Sequence, residues 1–390
     1  MAWHFGAMGP LLIAAALSGL APAIGMEPAH DATAQPVSDA KSDYLRKLAA
    51  YQAARQAFEE LSAPYWDEVR EKRRLRNAKR RNGETIAAQD YVLTQPPLYS
   101  GPPRPVPPPE VREGLPRPPA LPIIADFLRH ALEQYRFVPT RPARDIDFKQ
   151  AYAKIARAAG LTREQAVRIY AFEVGGNGQY DTQAGLEDDR PGEHAISTER
   201  GYNQLLNTNS VEIMAEQGER FGVVLKDKLA TLAGAVRTAF IRKIEVVREM
   251  TVFCRSVPDQ WNEHERLGNT ANGLAVHAMN LDIDVGPLLQ TQKLLDSVVF
   301  ARRKGYGRQL TAAELEMMNL TGDGNGYDMV TIPEDMRAQI PTSNFFLRNG
   351  YERNPVAIRN NTVAKLLAAT NSIMDKGIML QGAKDLAGAF

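Results

Sequence analysis

Residues 162–206 read TREQAVRIYAFEVGGNGQYDTQAGLEDDRPGEHAISTERGYNQLL, and the fold turns on how this stretch is read. Thr162 followed three residues later by Gln165 is a capping-box pattern, which predicts a helix starting there. Gly175-Gly176 supplies the backbone freedom to leave it. Between these signals Ala166, Ile169, Tyr170 and Glu173 fall at i, i+3, i+4 and i+7, so one stripe ends in a carboxylate. A carboxylate at the open end of an apolar stripe is partly desolvated, which raises its pKa and suits it to donating a proton at neutral pH. Glu173 is therefore the candidate catalytic acid. The plain alternative is a solvated glutamate near a helix C-terminus, where the helix dipole disfavours it.

Working outward, 390 residues leave room for more than one folding unit. A formal net charge of +1 gives no global field that calls for a nucleic-acid partner. The single Cys254 excludes an intramolecular disulfide framework, and no Cys/His cluster has zinc spacing, so neither a metal nor any other cofactor is expected. The sequence contains neither a GxSxG elbow nor a Walker loop, which removes the serine-hydrolase and nucleotide-hydrolase classes.

Residues 1–23 have the outline of a secretory signal. An apolar run from Leu11 to Leu20 precedes Ala21-Pro22-Ala23, although the leading segment lacks Lys and Arg. A periplasmic or secreted protein is expected, with an N-terminal anchor as the alternative. Residues 24–95 read as a helical, basic segment. Tyr44, Tyr51, Phe58 and Tyr65 recur every seven residues, and Pro64 is expected to break or kink the helix. A cluster from Arg70 to Arg81 reads as a solvated face, or else as a contact for an anionic surface. Twelve of the 25 prolines lie in 96–122, which predicts an extended, semi-rigid linker.

From residue 123 the pattern is mainly α. Helical spacing recurs over 123–137, 147–159, 211–221, 226–253, 271–280 and 288–304, and Thr311 with Glu314 marks another capping box. The glycine-rich, acidic 321–328 reads as a turn rather than a calcium loop, because Asp328 stands where the invariant glycine belongs. Small hairpin strands are possible only between 177 and 196. The expected organisation is a helical domain over 123–330 followed by a helical C-terminal extension over 331–390.

The motifs in this domain resemble those of the lytic transglycosylases of the lysozyme-like superfamily. That family's E-S-G-G-N is matched by Glu173-Val174-Gly175-Gly176-Asn177, and its G-L-M-Q-L by Gly201-Tyr202-Asn203-Gln204-Leu205. A third motif, A-Y-N-x-G, is echoed by Met317-Met318-Asn319-Leu320-Thr321-Gly322. The likeness spans roughly 147–330. It departs from the family in a longer segment between the first two motifs, in Met318 where the family has tyrosine, and in the spacing of Ser197 from the second motif.

The resemblance implies a lysozyme-like helical fold and cleavage of the MurNAc–GlcNAc β-1,4 bond of peptidoglycan glycan strands. In it one glutamate, here Glu173, serves first as acid and then as base, and the product is a 1,6-anhydro-muropeptide. It further implies sugar or acid-side contacts from Gln204, Ser197 and Asn319, with Tyr202 and Tyr180 offering flat faces to sugar rings. Two alternatives stay open. One is a lysozyme-like hydrolase drawing a second carboxylate from Asp181, Glu187, Asp188, Asp189 or Glu193. The other is a non-catalytic envelope scaffold that binds glycan through a degenerate domain.

Overall fold

The computed structural model describes residues 39–113, 120–179, 181–186 and 195–390. The proposed signal, Tyr180 and residues 187–194 lie outside them. The described residues form α-helices and short 3₁₀ turns, with isolated β-bridges at Gln183–Leu186 and Arg200–Leu205 and no strand. The chain is mainly α, as its periodicity requires; of the hairpin expected over 177–196 the described residues show only the Gln183–Leu186 bridge.

In chain order the first helices are α1 (Asp39–Arg81), α2 (Pro109–Arg112), α3 (Ile124–Tyr135), α4 (Asp145–Ala158), α5 (Arg163–Glu173) and α6 (Asn207–Leu229). Next come α7 (Gly234–Cys254), α8 (Trp261–Gly268), α9 (Ala271–His277), α10 (Gly286–Arg303), α11 (Ala312–Thr321) and α12 (Asp323–Val330). The last are α13 (Arg348–Glu352), α14 (Pro355–Arg359), α15 (Val363–Gly377) and α16 (Gln381–Ala389). None of these helices is long and apolar enough to cross a membrane.

The chain divides into two compact units. One takes Leu121–Ala338 and Pro355–Phe390; the other takes Gln339–Asn354 with the described residues up to Ala120. The segment after residue 330 therefore does not behave as one extension: its middle joins the N-terminal helix and its flanks join the larger unit. The reason is chemical. In the smaller unit Asn344 pairs with Val92 in both directions, accepting its N–H at 2.9 Å and donating to its carbonyl at 2.8 Å.

In that unit α1 runs unbroken through Pro64, against expectation. The carbonyl that Pro64 orphans belongs to Glu60, which is exposed and so keeps water as a partner. The basic cluster is also not a simple solvated face. Arg73 donates to the carbonyls of Asn344 and Phe346, Lys72 to those of Gln89 and Tyr91, and Lys79 to the Asp90 carboxylate. Buried Arg76 donates to the Asp90 carbonyl and stacks 4.2 Å from the Tyr91 ring centroid. Three cations of the run, Lys72, Arg73 and Arg76, thus clamp backbone carbonyls, and a fourth, Lys79, holds the Asp90 side chain. The first part of the proline-rich segment packs too, with Tyr99 edge-on to Phe58 at 5.5 Å.

The larger unit buries Phe127, Leu205, Val211, Met214, Phe221, Val246, Met250, Val285 and Leu289 in one cluster. The long helix expected over 226–253 is divided differently. α6 continues through Gly222 to Leu229, and the break falls at 230–233. The expected turn at 321–328 is helical instead. Gly322, at φ +80°, ends α11, and α12 starts at once. Gly326 lets α12 lie against the Met318 backbone, where any Cβ would collide.

Candidate active site

α5 begins as its capping box demands. Thr162 Oγ1 accepts from the Gln165 N–H at 3.1 Å, and Gln165 Oε1 accepts from the Thr162 N–H at 3.0 Å. Its buried side, with Ala166, Ile169 and Tyr170, faces the core, and the stripe ends on Glu173. The chain then leaves through Gly175 and Gly176, both at positive φ. Gly176 is a contact as well as a turn, since a Cβ there would lie 2.5 Å from the Gly377 carbonyl oxygen of α15. From the other side the Ala383 N–H of α16 donates to the Gly176 carbonyl at 2.9 Å. The C-terminal helices therefore fix where α5 stops.

Around Glu173 the structure gathers side chains from three other segments. Asn319 Nδ2 donates to Glu173 Oε1 at 2.7 Å, which joins the first and third motifs. Glu316, three residues earlier on the same face of α11, brings its carboxyl within hydrogen-bonding reach of Glu173 at 1% exposure. Glu199, at 6% exposure, lies just before the Gly201 turn and acts on the same charge. Lys293, from α10, is the cation that acts on all three glutamates.

Burial pushes the Glu173 carboxyl above its ordinary range, against the opposing pull of Glu316, Lys293 and Asn319. Glu316 is raised further, by burial and then by the neighbouring Glu173. Glu199 is pushed up to about 8, by burial first and by Glu173 second, although Ser197 and Lys293 oppose it. The arrangement sets three carboxyls, all raised above their ordinary values, near one lysine, and Glu199 at about 8 keeps its proton at neutral pH. Such a group can deliver a proton to an oxygen brought against it.

Of the residues singled out by sequence, Glu173 and Asn319 meet directly. Ser197 supports Glu199, its Oγ accepting the Glu199 N–H at 3.1 Å. Gln204 does not reach out to the acid. It sits at φ +42° and turns its amide onto the Gly201 carbonyl at 2.8 Å, closing its own turn. Tyr202 is a correction: at 1% exposure it is packed edge-on against Phe148, Tyr152 and Tyr170, with no face free for a sugar. Tyr180 lies outside the described residues, as do Glu187, Asp188, Asp189 and Glu193. Asp181 accepts from Lys149 and the Tyr170 hydroxyl, so it holds α4 and α5 together. Tyr327 of α12 donates to the Lys304 carbonyl at 2.8 Å.

Sequence reasoning missed Glu199, Glu316 and Lys293. Glu316 had a legible signal, being at i−3 from Asn319 on a capped helix. Glu199 lies two residues before Gly201 of the second motif, and Lys293 has no local mark at all. A groove of about 360 Å³ is lined by Glu216, Arg220, Gln292, Asp296, Phe300 and Asp323, and none of Glu173, Glu199, Glu316, Asn319 and Lys293 lines it. Among the described residues no group of acidic, histidine and cysteine side chains has metal-binding geometry. Comparison with models of known protein families, with curated proteins and with solved structures finds no match for the chain.

Proposed function

We propose that this protein is a lytic transglycosylase of the lysozyme-like kind, cleaving the β-1,4 MurNAc–GlcNAc bond of peptidoglycan after export to the periplasm. The observation that carries this reading is the Glu173 carboxyl. It is half-buried at the end of α5, gripped by Asn319 and raised above its ordinary value by desolvation. Glu173 gives its proton to the glycosidic oxygen as the bond to the muramic C1 breaks. The resulting carboxylate then takes the proton of the muramic 6-hydroxyl, whose oxygen bonds to C1 and closes the 1,6-anhydro ring.

A hydrolase of the two-carboxylate type needs its second carboxyl ionised. Glu199, titrating at about 8, is mostly neutral at pH 7, and Glu316 is raised as well. Neither suits a nucleophile or base at neutral pH, which supports the single-acid route. The rival is a glycan-binding scaffold without catalysis, and it is favoured by the inward placement of Tyr202 and the self-satisfied amide of Gln204. Digestion of purified peptidoglycan by the wild type and Glu173→Gln, with mass analysis of the products, separates these readings. Anhydro-muropeptides from the wild type and a loss of at least 100-fold in the variant are expected. Reducing ends would identify a hydrolase, and glycan binding without product in either protein would identify the scaffold.

A further inference from the structure

The turn at Gly201–Leu205 is anchored by a residue outside every motif, Gln290 of α10. Its carboxamide is fully buried and bonds the turn at two points. Oε1 accepts the Asn203 N–H at 2.9 Å, and Nε2 donates to the Arg200 carbonyl at 3.1 Å. The main-chain carbonyl of Gln290 also accepts from Asn203 Nδ2 at 2.7 Å. Gly201 lies between these anchors at φ +71°, and a Cβ there would collide with the Gln290 carboxamide. The glycine of the motif thus leaves the space that Gln290 fills.

The amide is held one way round. Asn280 Nδ2 donates to the His277 carbonyl at 3.0 Å and to Ser210 Oγ at 2.9 Å, so its Oδ1 is left to accept from Gln290 Nε2 at 2.9 Å. His277 Nε2 donates to the Thr198 carbonyl at 2.8 Å. Burial pushes the imidazole pKa down to about 3, so the ring is neutral and its Nδ1 accepts from Ser210 Oγ at 2.8 Å. One buried network therefore holds Thr198, Arg200 and Asn203. Its links pair only if Gln290 offers an oxygen to Asn203 and N–H groups to Arg200 and Asn280.

Tyr202 passes this hold on to α5. Its ring lies edge-on to Tyr170, with centroids 4.9 Å apart, and to Tyr152 at 5.3 Å. Tyr170 sits on α5 one helical turn before Glu173. Close-packed rings do not yield to a displaced neighbour, so a shift of the turn moves the helix. We propose that Gln290 is a positioning residue for the acid: it holds the Gly201–Asn203 turn and, through Tyr202 and Tyr170, sets where Glu173 lies. The proposal rests on the reading of Glu173 as the acid, and it adds a support which that reading does not require.

The test compares full-length wild type with Gln290→Met and Gln290→Glu, by amide hydrogen exchange, by NMR of labelled tyrosine rings and by kinetics on peptidoglycan. Methionine keeps the length of the side chain and loses its amide. Glutamate at pH 5, protonated in this dry site, keeps the oxygen for Asn203 and one O–H for an acceptor. In Gln290→Met the Asn203 amide is expected to exchange faster by about 10-fold or more, and the Tyr202 and Tyr170 signals to move. Its kcat should fall by about 10-fold or more with KM within about twofold, as for a displaced catalytic group. Gln290→Glu at pH 5 should recover most of each property relative to wild type at that pH. Wild-type exchange and ring signals in Gln290→Met overturn the proposal, because the turn then holds itself. Ring signals that move while kcat stays put also overturn it, and mark Gln290 as structural. Should Gln290→Met not fold, Gly201→Ala, which presses on the carboxamide from the turn, is read by the same measurements. If the wild type makes no product, the proposed function fails and the positioning of an acid with it, whereas exchange and ring signals still report whether Gln290 holds the turn against α5.

Discussion

Glu199 shows how a buried carboxyl reports on folding as well as chemistry. Its folded pKa of about 8 lies above its ordinary value of 4.5, so between these limits the folded chain binds the extra proton. Stability contributed by this group is therefore complete below about 4.5 and drains away as pH rises through 8, by at most about 1.4 kcal/mol per pH unit. Glu199→Gln removes that dependence. Melting temperatures from pH 5 to 9 are expected to fall more gently in the variant than in the wild type; parallel curves would refute the assignment. At this scale the sequence was legible where a local rule applied. Thr162 and Gln165 predicted the cap that Thr162 Oγ1 makes, and the stripe led to Glu173. Tyr202 was not legible, because an aromatic in a loop motif carries no mark of whether Phe148, Tyr152 and Tyr170 will enclose it.

At the scale of elements, the end of α5 is set by helices some two hundred residues later. Gly377 of α15 approaches Ala171 so closely that a Cβ would lie 2.8 Å from both its carbonyl oxygen and its own Cβ. Gly377→Ala must push α15 away from α5 and drag the Gly176 turn with it. The cost is on the order of 1–3 kcal/mol of stability, and turnover should fall with it, since Glu173 is three residues from the displaced turn. Gly388→Ala, in α16 with open space around it, should leave both melting temperature and turnover nearly unchanged. Helix propensity alone would make both substitutions stabilising, so a Gly377→Ala variant that keeps or raises the melting temperature would show that the close approach does not govern the contact. This dependence was invisible in the sequence for a physical reason. A helix C-terminus is signed by its own glycines, but the surface against which those glycines pack has no local signature. The turn expected over 321–328 fails on the same grounds, because Gly326 serves the contact of α12 with the Met318 backbone.

For the whole molecule, the division into two units makes the smaller one depend on a few buried polar contacts. Its backbone around Val92 belongs to no helix or ladder, so its hydrogen bonds must come from side chains. Asn344 supplies them, bonding the Val92 N–H and carbonyl and reaching the Pro341 carbonyl at 3.0 Å. Asn344→Ala leaves the two Val92 groups dry and unpaired, at about 1–3 kcal/mol each. Two compact units with separate cores are expected to give more than one calorimetric transition. Asn344→Ala should lower the transition of the unit that contains it by several degrees and leave the other in place. The pH-dependent loss tied to Glu199 should appear in the other transition, since Glu199 belongs to the larger unit. If one variant moves both transitions equally, the chain unfolds as a single cooperative block. Residues 339–354 would then be a strut of the whole molecule rather than a part of its smaller unit.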